Sequence, residues 1–136
     1  MKQDGVANIV AVYGSLRKGF GNHDNFLGKH QCIGQEFTED KFRMYSLGSF
    51  PCIKPDAEGY PVMVELYLID NHLDLPRLDR LEGVPHLYKR GIIDTSKGLA
   101  YIYYMDSEGR PDWNQGEITS GDWEDSGCRR GAGNYV

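Results

Sequence analysis

Tyr88-Lys89-Arg90-Gly91-Ile92-Ile93-Asp94-Thr95, then Ser96-Lys97-Gly98, then Leu99-Ala100-Tyr101-Ile102-Tyr103-Tyr104-Met105 read in order as strand, turn and strand. β-Branched and aromatic residues fill both runs, and the short polar link between them has hairpin chemistry. Further back, Pro61 to Ile69 is the longest strand candidate. Val62, Val64, Leu66 and Leu68 lie on one face and Met63, Tyr67 and Ile69 on the other, which predicts at least partial cover on both sides. Glu65 interrupts the second face, where a salt bridge or a rim position is its expected role. Between this strand and the hairpin stands Leu75-Pro76-Arg77-Leu78-Asp79-Arg80-Leu81-Glu82-Gly83, with leucines at helical spacing.

The N-terminal half adds more strands. Asn8 to Tyr13 is a continuous apolar run that predicts a central strand, and the glycine-rich Gly14 to Asn22 predicts a shaped loop leading into a short helix at about His23 to Gly28. Gln31 to Phe37 and Lys41 to Leu47 flank Thr38-Glu39-Asp40 and predict a second hairpin. Gly48 to Ile53 and Pro55 to Gly59 read as turns. From Asp106 onward Gly, Asp and Trp recur without period. The expectation is one α+β domain over residues 1–123, a small, mixed, mostly antiparallel β-barrel or curled sheet with flanking helices, followed by a poorly ordered tail over 124–136.

The chain has 136 residues and a formal charge of -5, which argues against a nucleic-acid partner because phosphate binding needs a basic stripe. No apolar run approaches the roughly 20 residues of a membrane span, so a soluble, cytoplasmic protein with no membrane partner is expected. Cys32, Cys52 and Cys128 form no C-x-x-C pair and stand at no zinc-like spacing from histidine. Neither a structural metal nor a disulfide framework is expected, and free cysteine more often packs as a small hydrophobe than reacts.

Glu82 is the residue that points to chemistry. At about 100° per residue it projects between Leu75 and Leu78, on the face a helix normally buries, and it lies at the C-terminal end, where unpaired carbonyls disfavour negative charge. Both effects predict a raised pKa, as proton transfer requires. The structural alternative is an ion pair with an Arg or Lys elsewhere, or a side chain bent out to water.

The loop after the first strand is the second candidate. Gly14 and Gly19 have G-x-x-x-x-G spacing, but Phe20-Gly21 stands where a phosphate-binding P-loop needs Lys-Ser or Lys-Thr. Ser15 also lacks the G-x-S-x-G context of a nucleophile elbow. Two possibilities remain: a nest of backbone N–H groups for a carboxylate or oxyanion, or a plain tight turn.

Tyr13-Gly14-Ser15-Leu16-Arg17-Lys18-Gly19 with Asn22-His23, Gly48-Ser49-Phe50-Pro51, Glu65-Leu66-Tyr67, Leu78-Asp79-x-x-Glu82-Gly83 and Tyr88-Lys89-Arg90 together resemble the γ-glutamylcyclotransferase-like family, over roughly residues 8 to 105. That family includes the γ-glutamylamine cyclotransferases and the plant avirulence-induced-like proteins. The resemblance implies a small mixed barrel in which Tyr13, Gly14, Ser15 and Leu16 bind the γ-glutamyl group and Glu82 transfers protons, with Phe50 and Tyr88 near the pocket. It implies conversion of a γ-glutamyl amide to 5-oxoproline and a free amine, chemistry in which the substrate's own α-amino group attacks and no cofactor or metal is needed; oligomeric state is open, with monomer the default expectation. A non-catalytic binding module for a γ-glutamyl or amino-acid-like ligand is the alternative. Ser120-Gly121-Asp122-Trp123 carries no assignable role in the sequence.

Overall fold

Ile9–Val12 form β1, and all four side chains are buried. A strand apolar on both faces is stable only inside a sheet covered on both sides, and β1 occupies the middle of one. The computed structural model describes residues 1, 5–14, 16–17, 27, 29–48, 50–106 and 116–123. Its other elements are β2 (Cys32–Phe37), β3 (Phe42–Ser46), β4 (Pro51–Pro55), β5 (Met63–Leu68), α1 (Asp74–Glu82), β6 (Lys89–Thr95) and β7 (Gly98–Tyr104). Five strands make one sheet in the order β2-β5-β1-β7-β6, antiparallel at every junction except the parallel one between β1 and β7. β3 and β4 make a separate antiparallel ribbon, with Phe42 opposite Pro55 and Ser46 opposite Pro51. Val10 and Val12 point into a core cluster shared with Leu78 of α1, while Ile9, Ala11 and Tyr13 point into one shared with Phe42, Met44 and Ile53 of the ribbon. The fold is mixed α+β with a mostly antiparallel sheet and, among the described residues, one helix.

The central strand, the long strand and the Tyr-rich hairpin stand where the sequence predicts them. Two local expectations are corrected. β2 does not form a hairpin with β3; it pairs with β5, Phe37 opposite Met63 and Cys32 opposite Tyr67. Thr38 makes the switch: its N–H donates to the Val62 carbonyl at 2.9 Å and its hydroxyl oxygen accepts from the Val62 N–H at 3.0 Å, so the chain is tied to the start of β5 before it crosses to the ribbon. The segment 48–53 is not simply a turn, because its last three residues open β4. Pro51 and Pro55 sit at the ends of that strand, where a missing N–H costs little, and they disguise it in the sequence.

The barrel is not closed. No ladder joins the outer strands β2 and β6; instead Glu36 of β2 accepts hydrogen bonds from the N–H (3.0 Å) and the hydroxyl of Ser96 in the β6–β7 turn. The sheet curls until its edges meet through side chains, and exposed charges on β6 such as Lys89 and Asp94 blunt that edge. The flanking helix expected at residues 23–28 and the tail at 124–136 lie outside the described residues, apart from Leu27, which is buried.

Residues 116–123 pack back onto the domain. Ile118 donates its N–H to the Met44 carbonyl at 2.8 Å, the Gly116 carbonyl accepts from Ser46, and the Gly121 carbonyl accepts from Met63 at 2.7 Å. Trp123 is buried in the cluster beneath the ribbon. No helix among the described residues is long and apolar enough to cross a membrane.

Candidate active site

The site begins with the start of α1. The Asp70 carboxylate accepts from the N–H groups of His72 (2.8 Å) and Leu73 (3.1 Å), and Asp74 in the first turn accepts from the Asp70 N–H at 2.7 Å. These bonds fix the turn that leads into the helix. Pro76 lies in the first turn, where its missing N–H is harmless. Leu78 is buried and Leu75 and Leu81 pack beside it, so one apolar stripe holds the helix to the sheet.

The end of α1 is sharp. Gly83 takes the left-handed conformation at φ 68°, its N–H bonds to the Arg80 carbonyl at 3.2 Å, and the Val84 N–H bonds to the Asp79 carbonyl at 3.0 Å. This paired pattern stops the helix within one residue and needs glycine at the turn. Glu82 is thereby fixed as the last helical residue.

Its carboxylate is partly buried, and no hydrogen bond or ion pair to it occurs among the described residues. Burial pushes its pKa up to about 7. Among the described residues, no Arg or Lys forms the ion pair of the structural alternative. Three phenols surround this region, each with its single hydrogen already given away. Tyr13, following β1, donates to the Tyr103 carbonyl at 2.7 Å; Tyr88 donates to the Pro51 carbonyl at 2.6 Å; Tyr103 donates to Asp79 at 2.7 Å. Burial raises the Tyr13 phenol well above its ordinary value, and the nearby Tyr88, Glu82 and Cys52 raise it further. Burial and the Asp79 hydrogen bond do the same to Tyr103, which also feels the Glu82 charge.

Leu16, Tyr88 and Phe50 pack in or against the same core cluster as the apolar face of α1. Gly14 is buried and its carbonyl accepts from the Arg17 N–H at 2.9 Å, a tight turn. A Cβ on Gly14 would lie 2.7 Å from Pro51, so glycine is required there for close packing whether or not a ligand approaches. Ser15 lies outside the described residues.

Four residues that the sequence did not single out prove to support the site. Arg17 is buried and bridges Glu65 at 3.0 Å and Asp122 at 2.8 Å, joining the Gly14 turn to β5 and to the C-terminal segment. Burial alone would lower the Arg17 pKa, but the hydrogen bonds to Asp122 and Glu65 outweigh it. Glu65 is thus the salt-bridged residue expected, and it also accepts from the Tyr67 hydroxyl at 2.8 Å. Asp79 is partly buried and bound to Arg90 and Tyr103. Arg17 and Asp79 stand inside quoted motifs, whereas nothing in local spacing marks Tyr103 or Asp122.

The fold is thus a small curled α+β sheet whose one described helix ends in a carboxylate with no side-chain partner among the described residues. The model of the family "Gamma-glutamyl cyclotransferase, AIG2-like" matches residues 10–125. A Vibrio cholerae protein provisionally named a gamma-glutamylcyclotransferase is 40% identical over 124 residues, covering 90% of this chain and 97% of its own. The Escherichia coli gamma-glutamylcyclotransferase family protein YtfP is 38% identical over 116 residues, covering 85% and 96%. A mouse AIG2-like protein has the same fold, with a TM-score of 0.71 at 21% identity over 85% of this chain and 87% of that one. The chain belongs to the AIG2-like gamma-glutamylcyclotransferase family.

Proposed function

We propose that this chain cyclises a γ-glutamyl amide to 5-oxoproline and releases the free amine. The observation that carries the proposal is the Glu82 carboxylate, without a side-chain partner among the described residues and raised by burial to about 7 at the end of α1. A group poised there is able both to accept and to return a proton near neutral pH. In this reading Glu82 takes a proton from the substrate α-ammonium, the freed amine attacks the δ-carbonyl, and the new C–N bond closes the five-membered ring. The ring nitrogen sheds its second hydrogen as a proton to become the lactam N–H, and the old amide C–N bond breaks as Glu82 returns its proton to the leaving nitrogen, so that the amine, taking up the shed proton from solvent, departs as its ammonium ion.

The nucleophile belongs to the substrate, so the protein supplies positioning and proton transfer and the reaction calls for no metal or cofactor. Backbone N–H groups of residues 14 to 16 hold charged oxygens of the γ-glutamyl group, with Tyr13, Phe50 and Tyr88 shaping the pocket. The substrate is a free small molecule and the working unit a cytoplasmic monomer. The test is incubation with a panel of γ-glutamyl dipeptides and γ-glutamyl amines. 5-Oxoproline formed in step with free amine is expected; saturable binding with no product would instead make this a binding module.

A further inference from the structure

Three residues beside Glu82 form a closed unit whose purpose is not explained by packing. Asp79 precedes Glu82 by three positions on α1, so the two side chains are neighbours on the helix surface, about 5–6 Å apart at Cβ. Both Asp79 oxygens are engaged: Oδ1 accepts from the Tyr103 hydroxyl at 2.7 Å and Oδ2 is paired with Arg90 Nη1. Arg90 is held a second time, its guanidinium lying 5.1 Å from the centre of the Tyr101 ring. A guanidinium and a phenol in this position are the two donors best suited to capture a carboxylate, yet neither bonds to Glu82.

We propose that Asp79 is a positioning residue which neutralises Arg90 and retains the single Tyr103 hydroxyl hydrogen, thereby keeping both of these donors from Glu82. A phenol has one hydrogen and cannot serve both carboxylates, and an ion pair presents little net charge to a third group. The role of Asp79 rests on the assignment of Glu82 as the acid/base. The other groups near Glu82 do not substitute for the pair. Tyr13 and Tyr88 have given their hydrogens to backbone carbonyls, Cys52 is buried beside Tyr13, and Arg80 and His86 are exposed. That Glu82 is raised by burial, with no counter-charge lowering it, agrees with this arrangement.

The test is titration of Glu82 itself, by carbon NMR of the whole protein labelled in its glutamate side-chain carboxyls and without substrate, the resonance being identified by its loss in Glu82→Gln. Asp79→Asn leaves Arg90 uncancelled and frees Tyr103, so the Glu82 midpoint is expected to fall by about one pH unit. Arg90→Met leaves Asp79 uncancelled, and the midpoint is expected to rise. The double variant should return towards the original value. A purely structural network would not produce opposite shifts, so midpoints that stay put or move the same way in both single variants overturn the proposal. Should Asp79→Asn not fold, Arg90→Met decides alone, by rise or by its absence. Because no substrate is present, the outcome is independent of whether 5-oxoproline is ever formed; where it is formed, the acidic limb of the kcat/KM profile should move with the titration.

Discussion

At the scale of single residues, Glu82 carries charge where burial opposes it. Its folded pKa of about 7 exceeds the ordinary 4.5, so the folded state holds this proton more tightly than the unfolded chain. The stabilising contribution is complete below about pH 4.5 and is lost as pH rises through about 7. Glu82→Gln removes that titration while keeping shape. The variant should be more stable than the parent at pH 8, by an amount on the order of 1–3 kcal/mol, and the difference should shrink on acidification. Denaturant unfolding across pH 4 to 8 measures it, and an equal gap at every pH would mean that Glu82 ionises freely. In activity, the same substitution should lower turnover at least about a hundredfold with γ-glutamyl ligand binding retained. Full turnover in Glu82→Gln would move the proton transfer to another group.

At the scale of elements, the turn that follows β1 is held from two sides. Gly14 lies against Pro51 at the start of β4, and Arg17 reaches Glu65 of β5 and Asp122 of the C-terminal segment. Gly14→Ala should destabilise the fold by about 1–3 kcal/mol, because the proline ring cannot swing aside as a flexible chain would. Pro51→Ala in the same chain should recover much of that loss; a strictly additive double variant would show that the two do not meet. Arg17→Met leaves the buried Glu65 carboxylate without its guanidinium, a loss expected to cost about 3–5 kcal/mol. Arg17→Lys should cost less while remaining below the parent, since an ammonium keeps the charge but loses the planar fork that spans two carboxylates. Chemical denaturation ranks the three, and Arg17→Met as stable as the parent would show that the network contributes nothing net.

At the scale of the whole molecule, the segment 116–123 completes the core. Trp123 is 2% exposed and packs with Phe42, Met44 and Val62, although a stretch without apolar periodicity precedes it in the chain. Trp123→Ala should therefore cost about 3–5 kcal/mol, and a thermal midpoint unchanged from the parent would show that this segment is only laid on the surface. The sequence by itself determined what depends on near neighbours along the chain. Strand and helix periods marked β1, β5, α1 and the β6–β7 hairpin; Gly83 marked the helix end; and Glu82 stood out as a charge on an apolar stripe. Only the tertiary structure decided pairings made between distant residues. It joined β2 to β5 rather than to β3, made a strand of Pro51–Pro55, left the sheet curled but open, and brought Arg17 to Asp122 and Asp79 to Arg90 and Tyr103. The physical reason is that a residue's own period states which face it wants buried, whereas its partner is selected by whatever the folded chain brings within a few ångströms.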